Sequence, residues 1–353
     1  MRFLLVGLVM LGLSVGLSEY DRRHPPATPV TTTESAKKPE LPSGVKALLA
    51  TTSPSADDPA PAGSAQAVQA LLKGSDAKVG GFSTVAEGAF QARELRGGFG
   101  AVLFVVDTQS GSAIVRAVAG EGAKVVAVRS QRITAMQVDG STVFFAEGGR
   151  VLSMSARGDE GPVVRVSFTS ARVTSLAPVG DTVYVTLLPT GPEPEGVVAK
   201  VESNGTVSLI ASEQLKPHDV VADGKDVFWL AGGTSSLFRA PADGSFTSRV
   251  LEGADAPVAL DGDALVARVG ETLSRVSRAG GTPMVLARVK ADAIAVSSGL
   301  TRYSSNGAVY EVTAGAEPTE LLKASGTPVG VALGGLSLYV LVSTGSGSAL
   351  YAR

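Results

Sequence analysis

From about residue 91 onward, the chain alternates between short apolar runs and turns that contain glycine. Many of the runs are rich in valine, and each is about four to seven residues long, the usual length of a β-strand. No segment beyond residue 91 keeps the apolar spacing of an amphipathic helix over eleven residues. The pattern therefore predicts an all-β domain and argues against a helix-rich one.

The runs are grouped into a unit that recurs along the chain. Each unit has four runs: a small or apolar run, an apolar run with an aromatic residue, and two further apolar runs, with turns between the first two and the last two. The second turns recur 34 to 47 residues apart, near Gly120, Gly158, Gly205, Gly244, Gly281 and Gly315. Four strands repeated at this period indicate a β-propeller, whereas a β-sandwich would not require the same unit to recur.

The turns have the composition of tight β-hairpins. The pairs Asp139-Gly140, Asp223-Gly224 and Asp261-Gly262 join the first and second runs of their units, and Asn204-Gly205 and Asp243-Gly244 join the third and fourth. These residue pairs accept a positive φ at low cost, as type I′ turns require. We therefore interpret the aspartates as turn residues rather than metal ligands.

Seven units can be counted, with six or eight as alternatives because the first is the least regular. The units begin near Gln91, Arg132, Arg172, Pro217, Ala256, Asp292 and Pro328. The last unit has only three runs before the chain ends, which would leave unpaired backbone groups at an open edge. We predict that an N-terminal strand at 82–87, "FSTVAE", completes this blade and closes the ring.

The best-preserved copy, at residues 220–244, contains the only tryptophan of the chain, Trp229. In the sister units the same slot holds Phe145, Val185 and Val340. An apolar residue at a repeated position is expected to fill the core, so we predict that Trp229 packs between blades.

The N-terminal region differs from the rest. Arg2 precedes an apolar run at 3–17 that is too short to span a membrane comfortably. It has the character of a secretory signal, cleaved after Ser18 and covering residues 1–18, with an uncleaved N-terminal membrane anchor as the alternative. We therefore expect an exported protein, periplasmic or extracellular, that is either free or tethered to the membrane.

Residues 19–78 hold eight of the nineteen prolines and are otherwise rich in small and polar residues. Such a sequence buries too little apolar surface to offset its chain entropy, which predicts a disordered spacer. Within it, "AQAVQALLKG" at 65–74 is compatible with a short helix. The propeller is then expected at 79–353.

Composition and charge exclude several classes of function. The chain has no cysteine, which excludes disulfides, thiolate metal sites and cysteine nucleophiles. Its formal net charge is −2 and no large basic block is present, which argues against nucleic acid as a partner. No phosphate-binding loop, nucleophile elbow, zinc-protease helix or EF-hand loop occurs, so no catalytic residue is assigned.

The second runs "DVFWL", "TVYVT", "TVFFA" and "SLYVL" resemble those of the YWTD and NHL groups of six- to seven-bladed propellers. The resemblance covers residues 91–353, and the chain is also similar to secreted bacterial propeller proteins. This resemblance implies a β-propeller fold. No copy has the complete YWTD motif with its closing acidic residue, so a receptor-type function is not carried over.

Candidate site residues precede the first run of several units. In propellers of this kind the first strand of each blade lines the central channel, so residues just before it lie around one mouth. The titratable residues at or next to these positions are His218, Asp219, Asp255 and Asp292. The equivalent positions elsewhere hold Thr134, Thr174, Ala256 and Val329. Carboxylates suit Ca²⁺ and imidazole suits transition metals, so a divalent cation is a candidate, although no cofactor is required. The alternative is that these side chains bind no ligand and only contact the water that fills the channel.

These observations favour an exported, non-catalytic propeller that acts as a scaffold and binds an unknown protein or a small polar ligand. The alternative is a metal-dependent propeller enzyme, a lyase or lactone hydrolase, with its site at the channel mouth. A purely structural surface protein is the third class.

Overall fold

The computed structural model describes residues 41–52, 63–75, 77–98 and 100–353. The predicted signal segment at 1–18 lies outside the described residues. Two helices and three short strands precede the repeated part of the chain: α1 (Ser43–Leu49), β1 (Thr51–Thr52), α2 (Ser64–Leu71), β2 (Lys78–Val79) and β3 (Phe82–Gly88).

The repeated part forms seven antiparallel sheets, which are called blades. In each blade, four strands lie side by side in a regular order. Blades 1 and 2 are β4 (Gln91–Gly98), β5 (Ala101–Thr108), β6 (Gly111–Val118), β7 (Gly122–Arg129) and β8 (Ile133–Asp139), β9 (Thr142–Glu147), β10 (Arg150–Ser155), β11 (Val163–Phe168). Blades 3 and 4 are β12 (Ala171–Val179), β13 (Thr182–Pro189), β14 (Glu195–Val201), β15 (Val207–Leu215) and β16 (Pro217–Ala222), β17 (Asp226–Ala231), β18 (Ser236–Pro241), β19 (Ser248–Glu252). Blades 5 and 6 are β20 (Ala254–Asp261), β21 (Ala264–Val269), β22 (Thr272–Ser277), β23 (Met284–Ala287) and β24 (Ala293–Ser297), β25 (Leu300–Ser305), β26 (Ala308–Thr313), β27 (Thr319–Lys323). Blade 7 is β28 (Thr327–Gly334), β29 (Ser337–Thr344), β30 (Gly347–Ala352) and the earlier strand β3.

The first strands of the seven blades form a closed inner ring. Each first strand contacts the first strand of the next blade, and β28 of blade 7 contacts β4 of blade 1. At the outer side of blade 7, β3 runs antiparallel to β30, with Ser83 opposite Ala352 and Glu87 opposite Ala349. The seven-bladed propeller and its closure by an N-terminal strand are therefore confirmed.

Apolar side chains of the second strands alternate between the two neighbouring blades, as the two-residue period of a strand requires. In β17, Phe228 packs toward blade 5 and the next residue, Trp229, packs toward blade 3. Trp229 is fully buried against Tyr184 and Ile210, and its Nε1 donates a hydrogen bond to Oε1 of Gln214 at 2.9 Å. The prediction that Trp229 packs between blades is confirmed.

The predicted hairpins form, but they are not type I′ turns: the glycines have positive φ and Asp139, Asp223 and Asp261 do not. Gly140, Gly224 and Gly262 follow the turn aspartates and have φ values of 54°, 87° and 60°. This left-handed region is accessible to glycine without steric cost, so these residues end the first strand of each blade sharply.

Part of the predicted spacer is structured. Val45 and Leu48 of α1 are buried, and α1 contacts β13, β14 and β15 of blade 3. The strand β1 that follows pairs antiparallel with β11, the outer strand of blade 2. The structure therefore differs from the sequence-based assignment of 19–78 to a disordered spacer, because these residues cover a sheet edge that would otherwise expose unpaired backbone groups.

The helix placed by the sequence at 65–74 spans Ser64–Leu71 as α2. Its Val68 enters the core between blades 7 and 1. Its Gln69 accepts a hydrogen bond from the backbone N–H of Val125 and donates one to the carbonyl of Ala123, both at the outer edge of blade 1. Among the helices in the described part of the chain, none has the length and apolar character needed to cross a membrane.

Candidate functional site

The inner ring carries irregularities at the end where each first strand begins. The pairing of the first strand with the second shifts register in every blade except blade 6. The extra residue of such a β-bulge is left out of the ladder, and bulges often re-aim side chains next to binding sites. One end of the channel is therefore lined by bulge residues.

Two of these bulges are alike and carry an acidic residue in a left-handed conformation. Glu94 in β4 has a φ of 56° and Asp219 in β16 has a φ of 45°. Each is followed by a buried aliphatic residue, Leu95 or Val220, which anchors the bulge in the core. A non-glycine residue at positive φ is uncommon, and such positions concentrate at functional sites.

Charges of blade 1 act on the Asp219 carboxylate of blade 4. Blade 1 and blade 4 are not neighbours in the ring, because β16 contacts the first strands of blades 3 and 5. Glu94 and Arg96 of blade 1 nevertheless rank among the charges that shift the pKa of Asp219. The Asp219 carboxylate is therefore within electrostatic range of charged groups on a blade that is not its neighbour.

Enclosure within the channel raises the pKa of Asp219, and the carboxylates of Glu94 and Asp255 raise it further. His218 and Arg96 act in the opposite direction and lower this pKa. The Asp219 side chain is still 41% exposed, which fits a carboxylate surrounded by protein on most sides but reached by channel water. Within the described chain, Asp219 accepts no hydrogen bond.

His218 lies beside this carboxylate. Its Nε2 is 3.9 Å from Oδ2 of Asp219, and its Nδ1 lies 3.0 Å from the backbone carbonyl of Lys216. If Nδ1 carries the proton and donates to that carbonyl, Nε2 is left as an acceptor on the neutral ring.

Asp255 of blade 5 joins the same group of charges. Burial raises the pKa of Asp255, but the hydrogen bond and charge of Arg268 outweigh it and the net shift is downward; His218 lowers this pKa as well. The Arg268 guanidinium contacts the Asp255 carboxylate directly. Asp255 is therefore held as a paired carboxylate, unlike Asp219.

Arg96 and Glu94 complete the mouth on the blade 1 side. An Arg96 terminal nitrogen lies 2.7 Å from Oε2 of Glu94, and Arg96 Nε donates to the carbonyl of Met136 in blade 2 at 3.0 Å. The arginine is thus fixed by two blades, and it holds Glu94 in place.

Asp292 is not among the main charges that act on Asp219 or Asp255. It is exposed, and its backbone N–H donates to the carbonyl of Ser304 at 2.9 Å. Blade 6 has no bulge at this point, and the grouping of Asp292 with the other three residues stays a prediction. The structure brings together His218, Asp219 and Asp255, and adds Glu94 and Arg96.

The sister positions carry no charge. The Thr174 hydroxyl donates to the carbonyl of Pro217 in the next blade at 2.7 Å, and Thr134 does the same with Val173 at 3.2 Å. Val329 is an apolar residue of blade 7 that is 40% exposed. The charged half of the mouth is therefore formed by blades 1, 4 and 5.

Glu94 and Arg96 were missed by sequence reasoning because the first unit was the least regular. A signal was present: "REL" at 93–95 and "HDV" at 218–220 share a basic, an acidic and an aliphatic residue at equivalent points of their bulges.

The residues at the mouth do not form an evident metal centre. In the described ranges, no group of three or more His, Asp or Glu side chains is arranged to hold a metal ion. Two carboxylates of the mouth are already paired with arginines, Glu94 with Arg96 and Asp255 with Arg268.

The opposite end of the channel carries the turn aspartates, and these have structural partners. Asp139 accepts a hydrogen bond from the backbone N–H of Gly180 in blade 3 at 2.6 Å, and Asp261 accepts one from Gly299 in blade 6 at 2.9 Å. Each aspartate thus ties its turn to the turn of the next blade, in addition to the hairpin role that the sequence predicted.

Comparison with solved structures agrees with this architecture. A structure of a puromycin hydrolase mutant complexed with PGG matches 72% of this chain and 50% of its own, with 16% identity and a TM-score of 0.58. Puromycin hydrolase itself matches 76% of this chain and 53% of its own, at the same identity and TM-score. A nidogen/laminin complex matches 64% of this chain and 88% of its own, with 12% identity and a TM-score of 0.47.

This chain spans about half the length of the hydrolase chains, and at this identity the likeness shows the fold alone. No family model and no curated protein matches the chain. The protein is a seven-bladed β-propeller, and its resemblance to the YWTD and NHL groups stays a prediction.

Proposed function

We propose that this propeller is an exported, non-catalytic binding scaffold whose channel mouth holds a small polar ligand that carries a positive charge. The residues assigned to the site are Asp219, Glu94 and Asp255, with His218 and Arg96 as their neighbours. Export and a membrane tether rest on the signal-like start of the sequence.

The observation that supports this proposal is the state of Asp219. Its carboxylate is half-exposed to channel water, its backbone has a positive φ, and it accepts no hydrogen bond in the described chain. Its oxygens are therefore free to accept hydrogen bonds from a ligand, at the cost of displacing the water that reaches them. A ligand that brings an ammonium or guanidinium group would supply the missing donors and offset that cost.

The neighbours of Asp219 suit a ligand with more than one polar group. Asp255 and Glu94 stand on other blades, and both are already neutralised by arginines. A ligand cation placed between the three carboxylates would contact the unpaired Asp219 most strongly. His218 Nε2, where it is an acceptor, offers a further hydrogen bond.

The experiment is a calorimetric titration of the purified protein with 1,4-diaminobutane, with calcium chloride in a parallel arm. We expect saturable binding of the diamine, weakened about tenfold or more by Asp219→Asn, since a charge-assisted hydrogen bond is replaced by a neutral one. Glu94→Gln should weaken it less, because Glu94 has Arg96 as a partner.

The matched control is Asp139→Asn, an aspartate at the other end of the channel, which should bind the diamine like the wild type. Equal binding by Asp219→Asn and the wild type would contradict the proposal. Tight stoichiometric calcium that Asp219→Asn removes, together with turnover of a substrate, would instead favour the metal-dependent enzyme.

Export is tested by fractionating cells that express the full chain. We expect the mature protein outside the cytoplasm, with an N-terminus at residue 19 if the signal is cleaved, or in the membrane fraction if it acts as an anchor. Retention of the full-length chain in the soluble cytoplasmic fraction would contradict export.

A further inference from the structure

Blade 2 contains a cavity of about 440 Å³ that is remote from the channel mouth. It lies beside the turns β8–β9 and β10–β11, and Thr142, Ser153, Ser155 and Arg165 are among its lining residues. In β10, Leu152 and Met154 face the core between blades 1 and 2, so Ser153 and Ser155 face the other way, toward blade 3. All residues that line the cavity belong to blade 2 and its turns.

The cavity exists because of a small residue at a position that other blades fill with a long one. Ser153 pairs with Phe144 across strands β10 and β9. In blades 3, 4 and 5, the third-strand residue at the position of Ser153 is basic. It pairs with the second-strand residue that faces the next blade, as Ser153 pairs with Phe144. The pairs are Lys200 with Tyr184, Arg239 with Phe228, and Arg275 with Val266. Where those blades have a basic side chain, blade 2 has a serine and open space.

A guanidinium is held at the wall of this space. Arg165 Nε donates to Oγ of Ser153 at 2.7 Å, and its guanidinium carbon lies 5.9 Å from the centroid of the buried Phe144 ring. These contacts fix the orientation of the group by a hydrogen bond and a cation–π interaction.

Arg165 differs from the basic residues of the sister blades in lacking a counter-ion. Arg239 lies 2.9 Å from Asp226 and Arg275 lies 3.1 Å from Asp261. In the described residues, no carboxylate lies within 4 Å of the Arg165 guanidinium. A fixed, partly buried arginine without an acid partner is suited to binding a carboxylate from outside.

The rest of the lining is polar and includes two acidic residues. Hydroxyls come from Ser141, Thr142 and Ser155, and the exposed turn residues Asp159 and Glu160 stand at the rim. A purely anionic ligand would meet repulsion from this rim, whereas a ligand with a cation at its other end would be attracted by it.

We propose that the blade 2 cavity binds a small zwitterion of the amino-acid or short-peptide class, with its carboxylate on Arg165 and its ammonium toward Asp159 and Glu160. The volume is within the usual range for small-molecule sites. This site is separate from the channel mouth and does not depend on the function proposed there.

The probe is glycylglycine, titrated calorimetrically against the full chain, with acetate and methylammonium as single-charge comparators. We expect saturable binding of glycylglycine that is about tenfold or more tighter than that of either comparator, since both ends of the zwitterion are recognised. Binding of acetate as tight as that of the dipeptide would overturn the assignment to a zwitterion.

Two variants locate the site. Arg165→Gln removes the charge, and Ser153→Arg fills the cavity with a residue that blades 4 and 5 carry at the same position, so the blade is expected to fold. Both should lose about tenfold or more in affinity for glycylglycine, while Arg249→Ala, an exposed arginine on blade 4, should bind like the wild type. The proposal is overturned if the wild type shows no saturable binding or if Ser153→Arg, folded by circular dichroism, binds unchanged.

Discussion

The two ends of the inner ring carry acidic residues with opposite roles. At the turn end, Asp139 and Asp261 each accept a backbone N–H from the next blade, and Asp223 accepts two N–H groups of its own turn and contacts Arg278. At the starting end, Asp219 accepts no hydrogen bond within the described chain and stands in a left-handed conformation.

The difference shows what the same residue type contributes in two environments. At the turn end, aspartate is repeated because it closes hairpins and ties neighbouring blades, so each one should contribute to stability. At the mouth, the half-exposed Asp219 carboxylate has no protein donor and adds nothing to the hairpins, so we assign it to binding. Stability and binding should therefore respond in opposite ways to substitutions at the two ends.

The largest effect is expected for Asp261→Ala. Its side chain is 4% exposed, accepts the Gly299 N–H and lies 3.1 Å from Arg275. Removing it leaves the partly buried Gly299 N–H without an acceptor and takes from Arg275 the nearer and more buried of its two carboxylates, which should cost about 2–3 kcal/mol of unfolding free energy. Urea denaturation measures this loss.

The matched control is the neighbouring Asp263→Ala. That side chain is 97% exposed and lies 3.6 Å from the same Arg275, so the change should cost less than about 0.5 kcal/mol. Equal losses of unfolding free energy in the two variants would contradict the structural role assigned to Asp261.

A smaller, pH-dependent effect is expected for Asp223→Ala. Burial raises the pKa of Asp223, but hydrogen bonds from the Asp226 N–H and Arg278 outweigh it and the net shift is downward. A carboxylate with a lowered pKa stabilises the fold above its unfolded pKa, and this contribution is lost as pH falls through the folded value. The cost at pH 7 should be about 1–2 kcal/mol and should shrink below about pH 4.

The smallest effect, of opposite sign, is expected for Asp219→Asn. The pKa of Asp219 is raised, so its ionised form destabilises the folded state at neutral pH. The variant should be more stable than the wild type at pH 7 by less than about 1 kcal/mol, because solvent screens this half-exposed group. The difference should vanish as pH falls below the unfolded pKa of aspartate. A loss of stability at pH 7 would show that Asp219 has a structural partner.

Much of the fold was accessible from the sequence. The Asp-Gly turns and two-residue alternation define seven blades, and the missing strand of the last blade points to 82–87. The segments that cover the blade edges were not accessible, because the two residues of β1 pair with a strand more than a hundred residues away and carry no pattern of their own.

The candidate site was accessible only in part. His218, Asp219 and Asp255 stood out because they break the pattern of their sister positions. Asp292 was grouped with them by its place before a first strand; blade 6 lacks the bulge of the other blades, and this grouping stays a prediction. Glu94 was overlooked because the first unit is the least regular in sequence, so its residues were not aligned with the sister positions, although its bulge matches that of β16.

The most direct measurement of the central claim is a pair of titrations and unfolding curves for Asp219→Asn and Asp261→Asn at pH 7. We expect Asp219→Asn to lose binding of 1,4-diaminobutane while its stability is kept or raised. We expect Asp261→Asn to bind the diamine like the wild type and to unfold at lower urea concentration. Undiminished diamine binding by Asp219→Asn would contradict the assignment of the mouth as a binding site.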